Sequence, residues 1–442
     1  MTNGSRTRGA RFVSRTPGNE GNIMNVLRGN ATAAARVPVA FAWPADFAFV
    51  AGVFALGRTL TLLAFAVAPH LRAPNNGISP VAGWAIFTHW DGVWFRDIAT
   101  HGYEYARDGG QHSVAFFPLY PAIVALAVHV GFAFAPAATI ASNAFFLAML
   151  VVAYGWTRER HGVVVARFTV ATLALLPVSI FGSVAYSESL FLLLTTLALR
   201  DADRGHRLRA GMWAALASAT RLAGLGLAFA FVLDALRRRN DLRAWLAAAI
   251  APLGAVAYIA YQQFRFGDAL AFVHTQVGWR KLGFTSTAWP ETFASRLVSH
   301  HHWVAVLAFA AAAVVYARFR TRLGAPGEIA AAILTVLVWG RLWGVEDNMK
   351  LLFLFVGAYA VVRFRRHFTL IELAYATAVY ALVLAAWDPI SVDRYIWGVL
   401  PFSIALAYLW QRYPKLGFAT LAFGSLELVV WSLRFAQDVF VG

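Results

Sequence analysis

Asp91 lies in the run HWDGVWF (89–95), a lone carboxylate among aromatic side chains. On a helical reading of 84–100, Trp84, Phe87, Asp91, Trp94, Phe95 and Ile98 share one face by i, i+3/i+4 spacing. A helix of that kind can lie in a membrane interface. Burial there would raise the carboxyl's pKa and suit it to general-base work. The plainer alternative is an interfacial helix carrying a capped or solvated acid, with Gly92 breaking the stripe. His89 and Trp90, immediately before it, join the set that could touch a substrate.

Four further groups could act with this acid. Glu188, in YSES (186–189), stands where an apolar run begins; it could bind a sugar or a basic group, or simply complement a helix N-terminus. Arg221, in ATRLAG, separates two short apolar runs and has no acid next to it in sequence. A guanidinium at that depth needs a partner: a phosphate held bidentately, or an acid on another helix. Arg394, in SVDRYIWGVLPF, is a second candidate phosphate ligand, unless Asp388 or Asp393 merely neutralises it. The segment FGDALAFVHTQVGWRK (266–281) reads either as a lid whose Arg280 and Lys281 hold a phosphate, or as a solvated loop. Arg58 sits mid-run with no evident partner.

Such groups need a scaffold, and the composition describes it. The 442 residues are 60% hydrophobic and 14% charged, with a mean hydropathy of +0.59, against about 25% charged in soluble domains. The chain therefore reads as an all-α polytopic membrane protein. Apolar runs fall near 46–68, 115–132, 137–157, 163–179, 185–200, 208–220, 222–236, 243–263, 303–318, 328–341, 349–362, 369–386, 395–411 and 416–434. The net charge of +16 is carried almost wholly by arginine, which belongs on cytoplasmic loops rather than on nucleic acid. Residues 1–43 read as a basic, disordered cytoplasmic tail, and 44–442 as a single membrane domain.

The arginine clusters at 158–160, 200–209, 237–243, 318–322, 363–366 and 412–415 then test the topology. If 115–132 crosses the membrane, the first three clusters fall outside. If this run, which opens with the two prolines of FFPLYP, is half-inserted on the outer side, every cluster falls inside. The expectation is therefore about thirteen spans at about 20 residues each, with interfacial helices in the first outer loop. The N-terminus lies inside and the C-terminus outside. Asp91 in the first outer loop (69–136), Glu188, Arg221, the second long loop (264–302) and Arg394 then share the outer side.

The chain has no cysteine, which removes disulfides and thiolate chemistry. The scattered histidines and His300–His302 give no metal spacing, so no metal is expected, although Glu188 beside Asp91 leaves metal assistance open. There is no Walker loop, no GxGxxG and no Ser-His-Asp set, so no nucleotide donor and no cofactor is expected.

Seven segments in order resemble the GPI mannosyltransferase 2 family and its bacterial relatives within the GT-C glycosyltransferase superfamily. They are HWDGVWFRDIATHGY (89–103), AFFPLYP (115–121), SN (142–143), LLPVSIFGSVAYSESLF (175–191), ASATRLAG (217–224), FGDALAFVHTQ (266–276) and SVDRYIWGVLPF (391–402). The resemblance implies a GT-C-type fold and an inverting enzyme that takes a sugar from a polyprenyl-phosphate lipid outside the cytoplasm. It also implies that an acid in the first outer loop, here Asp91, is the base. The alanine- and arginine-rich composition resembles a high-GC bacterium. That implies a bacterial plasma membrane, a polyprenyl-phosphomannose-like donor and a glycolipid or glycan acceptor. Arabinose as the sugar, a lipid-sugar flippase and a non-catalytic membrane subunit are the competing readings; a transporter would favour an internal repeat, and none is visible.

Overall fold

Apolar runs become helices wherever the chain is described, which in this computed structural model is residues 44–71, 83–279, 318, 356–386 and 391–441. In chain order the longer helices are α1 (Ala45–Val67), α2 (Asp91–His101), α3 (Leu119–His129), α4 (Phe134–His161), α5 (Val163–Leu175), α6 (Glu188–Asp203) and α7 (Arg207–Thr220). They continue with α8 (Leu225–Arg237), α9 (Leu242–Ile250), α10 (Leu253–Phe266), α11 (Leu370–Ala386), α12 (Val392–Trp397), α13 (Leu400–Arg412) and α14 (Pro414–Ala436). Among the described residues there is no strand. Four helical stretches, Ala45–His70, Phe134–His161, Leu242–Phe266 and Pro414–Ala436, are long and apolar enough to cross a membrane.

The expected runs 303–318 and 328–341, the first part of 349–362, the tail 1–43, His300–His302 and Asp388 lie outside the described residues, Arg318 excepted.

Sequence punctuation sets the boundaries. Pro252 splits one apolar run into α9 and α10, as a residue lacking its N–H must. Gly267 caps α10 in the left-handed region with φ 67° and ψ 20°, a conformation that strains a side chain bearing a Cβ. Helix α10 also crosses α7 where Gly254 lies so close that a Cβ would sit 2.0 Å from the Ala215 carbonyl oxygen.

Helix α6 is the spine of the bundle, buried on nearly every side by α4, α7 and the 3-10 turn Pro177–Gly182. The core around it contains Phe146, Met149, Tyr154, Ile180, Leu192 and Trp397. A helix buried all round must be apolar all round, and FLLLTTLAL (191–199) meets that need.

Charge is sorted to the two ends of this bundle. At one end the start of α1 meets the end of α4 through Asp46 and Arg158. Arg160 pairs with Glu372 at 2.7 Å, Arg204 with Glu159 at 2.6 Å, and Arg207 with Asp241 at 3.2 Å. The arginine clusters described at 158–160, 200–209 and 237–243 thus converge on one end. The opposite end carries Asp91, Glu188, Arg221 and Arg394. With 11 residues, α3 is about 16 Å long at 1.5 Å per residue, too short for a hydrocarbon core of about 30 Å. It lies beside the first turns of α4, where Tyr120 Oη is 2.8 Å from Ser142 Oγ and donates to the Ala138 carbonyl. The described part of the run 115–132 thus holds no helix long enough to cross a membrane by itself.

Candidate active site

The site assembles where four chain segments end. Glu188 is the first residue of α6, Arg221 follows the last residue of α7, Asp91 opens α2, and Arg394 lies in the six-residue α12. Arg394 Nη1 donates to Asp91 Oδ2 at 2.7 Å, and its Nε is 3.1 Å from Glu188 Oε1. Arg221 Nη1 donates to the same Glu188 oxygen at 2.5 Å and to Ser187 Oγ at 3.2 Å. The result is an alternating chain, Asp91–Arg394–Glu188–Arg221, with formal charges that cancel. Glu188 is only 3% exposed, and its Oε2 has no hydrogen-bond partner among the described residues. An unpartnered buried carboxylate oxygen is costly, so this cluster keeps an unused acceptor at its centre.

Aromatic rings wall the cluster. The Arg394 guanidinium lies 5.2 Å from the Phe181 ring centroid and 5.6 Å from that of Tyr186; Tyr395 stands between the two arginines, 5.2 Å from Arg221 and 5.7 Å from Arg394. Cation–π attraction of this kind contributes about 0.5–2 kcal/mol per contact. Asp393 is fully buried, and its carboxylate accepts the Arg394 backbone N–H at 2.8 Å. Asp393, expected as a possible neutraliser of Arg394, thus meets its backbone N–H. Tyr186 and Tyr395 were not singled out from the sequence; their only signal was adjacency, Tyr186 two residues before Glu188 and Tyr395 next to Arg394.

A polar frame holds the loop before Glu188. Ser142 Oγ donates to the Tyr186 carbonyl at 3.1 Å, and Asn143 Nδ2 donates to the Ser183 carbonyl at 3.0 Å. The SN pair on α4 therefore fixes the segment that delivers the acid.

Two expectations need correction. The stretch 84–100 is not one helix: a 3-10 turn (Gly83–Thr88) gives way to α2 at Asp91. Between them Trp90 has φ 55° and ψ −117°, and the Gly92 N–H donates to the His89 carbonyl at 3.0 Å. These angles are those of the first central position of a type II′ turn, which glycine normally fills, and the cost for tryptophan is about 1–3 kcal/mol.

Second, Asp91 does not stand alone in an apolar stripe. It heads its helix, its own N–H donates to Tyr186 Oη at 3.2 Å, and its carboxylate is paired with Arg394. His89 and Trp90, the other residues expected to touch a substrate, make contacts with the C-terminal segment: His89 Nδ1 is 2.9 Å from Asp438 Oδ1, and the Trp90 ring meets Phe440 edge-on at 5.2 Å.

The second long loop is docked rather than free over its described part. Asp268 accepts from Tyr105 Oη at 2.8 Å and His274 Nδ1 at 2.9 Å, and lies 3.3 Å from Arg107 Nε. Thr275 Oγ1 donates to the Gly110 carbonyl at 3.1 Å and accepts the His112 N–H at 3.0 Å. Trp279 packs on Trp94 at 5.8 Å and on Phe116 at 6.1 Å. Arg280 and Lys281 lie outside the described residues. Among the described residues no group of three or more His, Asp or Glu is disposed to hold a metal. Arg58, deep in α1, donates through Nη1 to the Ser179 carbonyl at 3.2 Å and lies 4.4 Å from the Phe146 ring centroid, while its Nε and Nη2 have no hydrogen-bond partner among the described residues.

An acid held between guanidinium groups at one end of a membrane bundle suits transfer chemistry on a phosphate. Residues 81–259 match the model of the family described as Mannosyltransferase (PIG-V). The chain is also 28% identical over 231 residues to the GPI alpha-1,6-mannosyltransferase 2 of Rattus norvegicus, covering 46% of this chain and 46% of that protein. It is 29% identical over 149 residues to that of Cricetulus griseus, covering 31% of this chain and 29% of that protein. The matches thus span less than half the length of either relative. Asp91, Glu188 and Arg221 fall inside 81–259, whereas Arg394 lies beyond it.

Two solved structures are similar at low identity. The Archaeoglobus fulgidus oligosaccharyltransferase, crystallised with zinc and sulfate, gives a TM-score of 0.43 at 16% identity over 88% of this chain and 53% of that one. ArnT of Cupriavidus metallidurans bound to undecaprenyl phosphate gives 0.34 at 15% identity over 86% and 78%.

Proposed function

We propose that the chain is an integral-membrane inverting glycosyltransferase. It moves a sugar, mannose by family likeness, from a polyprenyl-phosphate donor to a glycolipid or glycan acceptor. The carrying observation is the alternating cluster itself, in which Asp91 and Glu188 occupy the guanidiniums of Arg394 and Arg221 at 2.5–3.1 Å. Two arginines that can leave carboxylates for a phosphate are what a departing lipid phosphate needs. An acid released in the same exchange is what an acceptor hydroxyl needs.

The donor phosphate takes hydrogen bonds from Arg394 and Arg221, displacing the carboxylates. The acceptor oxygen then attacks the anomeric carbon from the face opposite the phosphate. The new carbon–oxygen bond forms as the old one breaks. The electron pair of the broken bond leaves on the phosphate, whose added charge the two guanidiniums neutralise, and the hydroxyl proton passes to Asp91. The lipid tail stays in the bilayer against apolar helices. We place this exchange on the extracytoplasmic side of a bacterial plasma membrane, because the described arginine clusters converge on the opposite end of the bundle.

Purified protein with labelled polyprenyl-phosphomannose and a lipid-glycan acceptor extract tests the reading. Asp91→Asn should reduce transfer by about 10²-fold or more, the scale of a lost general base. Full transfer by Asp91→Asn would overturn the assignment of the base. Lipid-sugar movement across liposomes without transfer would replace the enzyme with a flippase.

A further inference from the structure

Among the described residues only Trp90 and Asp438 adopt positive φ without being glycine, at 55° and 58°. They come from parts of the chain nearly 350 residues apart, yet they belong to one contact. His89 Nδ1 donates to the Asp438 carboxylate at 2.9 Å across a separation of 349 residues. The His89 ring lies 5.8 Å from that of Phe435, and the Trp90 ring meets Phe440 at 5.2 Å. His89 is 7% exposed and Asp438 47%, so the bond is sealed on one side and open on the other. The segment after α14 is seated by its own backbone, with the Val439 N–H donating to the Arg434 carbonyl at 2.9 Å and Val441 buried.

These contacts grip both residues immediately before Asp91. The hydrophobic pattern of 84–100 favours one continuous helix, yet the chain is turned at Trp90 against its conformational preference. That turn aims the Asp91 N–H at Tyr186 and brings its carboxylate within 2.7 Å of Arg394. We propose that Asp438, acting through His89, is a positioning residue for Asp91, and that the segment 437–441 is a strap holding the turn that presents the base. The proposal rests on the reading of Asp91 as the base.

The test is Asp438→Ala in the full-length protein, assayed with labelled polyprenyl-phosphomannose and normalised to folded protein. Positioning predicts a ten- to hundredfold fall in kcat, the range a small misplacement of a reacting group produces, with KM for the donor unchanged. Asp438→Asn, whose amide oxygen still accepts from His89 Nδ1, should recover most of the loss. Trp90→Gly in the Asp438→Ala background should recover part of it, because glycine adopts the turn unaided. Wild-type kcat in Asp438→Ala would overturn the proposal, as would a loss fully explained by unfolding. Should Asp438→Ala fail to fold, Phe440→Ala loosens the same seat and is read in the same way. Full activity in Asp91→Asn would sink the base assignment itself, whereas an inactive Asp91→Asn beside a fully active Asp438→Ala would sink the strap alone.

Discussion

The Glu188–Arg221 pair makes two measurements that should move in linked ways. Glu188 Oε1 is shared, with Arg221 Nη1 at 2.5 Å and Arg394 Nε at 3.1 Å. Glu188→Gln therefore deprives both guanidiniums of the carboxylate they share, and Arg221→Gln leaves two carboxylates competing for Arg394. Unit charges about 4 Å apart interact by about 4 kcal/mol at an effective dielectric of about 20. Breaking a buried pair by removing one partner costs about 3–5 kcal/mol.

Each group here keeps a second contact, so about 3 kcal/mol is expected for either single variant. The double variant removes both charges together and should also cost about 3 kcal/mol, not 6, which gives a coupling near the upper end of the usual range of about 0.5–3 kcal/mol. Equilibrium unfolding in mixed micelles measures all four corners of the cycle. Additivity within about 0.5 kcal/mol would refute the shared-carboxylate picture. A second measurement uses polyprenyl phosphate alone as ligand. Glu188→Gln should strengthen its stabilising effect by freeing guanidinium, and Arg221→Gln should weaken it. Shifts in the same direction would show that neither arginine meets the phosphate.

Two further predictions follow from other parts of the molecule. Burial pushes the Asp268 carboxyl up, but hydrogen bonds from His274, Tyr105 and the Leu270 N–H outweigh it and hold the carboxyl down to about 2. Because the folded value lies below the unfolded one, this docking is fully present above about pH 4 and is lost as pH falls toward 2. Hydrogen exchange over 103–113 and 266–279 should accelerate in that window, and not in Asp268→Asn, where the loops are already loosened. The natural absence of cysteine also permits clean single labels: Arg107→Cys and Arg239→Cys, both exposed at opposite ends, should differ in access to an impermeant thiol reagent in intact cells. Equal labelling would refute the topology.

Much of the helical layout was legible because apolar runs and arginine clusters are local signals. The run 208–220 became α7, 222–236 became α8, and 416–434 became α14, each within three residues of its expected bounds. Arg221 needed a partner by depth alone, and both possibilities raised for it were concrete enough to test against Glu188. The pairing of Arg394 with Asp91 was not legible, since 303 residues separate them and no local pattern couples the two. The turn at Trp90 was hidden for a different reason: its residue type argues against it. Tyr186 and Tyr395 were overlooked because tyrosine beside an apolar run reads as ordinary core.

Helices α7 and α8 have 14 and 13 residues, or about 20 Å each, and Arg221 sits at the tip they share. Helix α8 shows Phe229, Val232 and Leu236 on one exposed face, apolar enough to pack against acyl chains. A bilayer with a hydrocarbon thickness of about 30 Å cannot match a hairpin this short without cost, and hydrophobic mismatch is relieved by local thinning. On the proposed topology the headgroup plane would then dip toward the hairpin tip. A lipid-borne phosphate drifting in that leaflet would come down to the guanidinium on the curved membrane surface itself, with no need to be drawn out of it. Lengthening α7 and α8 by one turn each would flatten the dip and leave Arg221 out of register with such a phosphate.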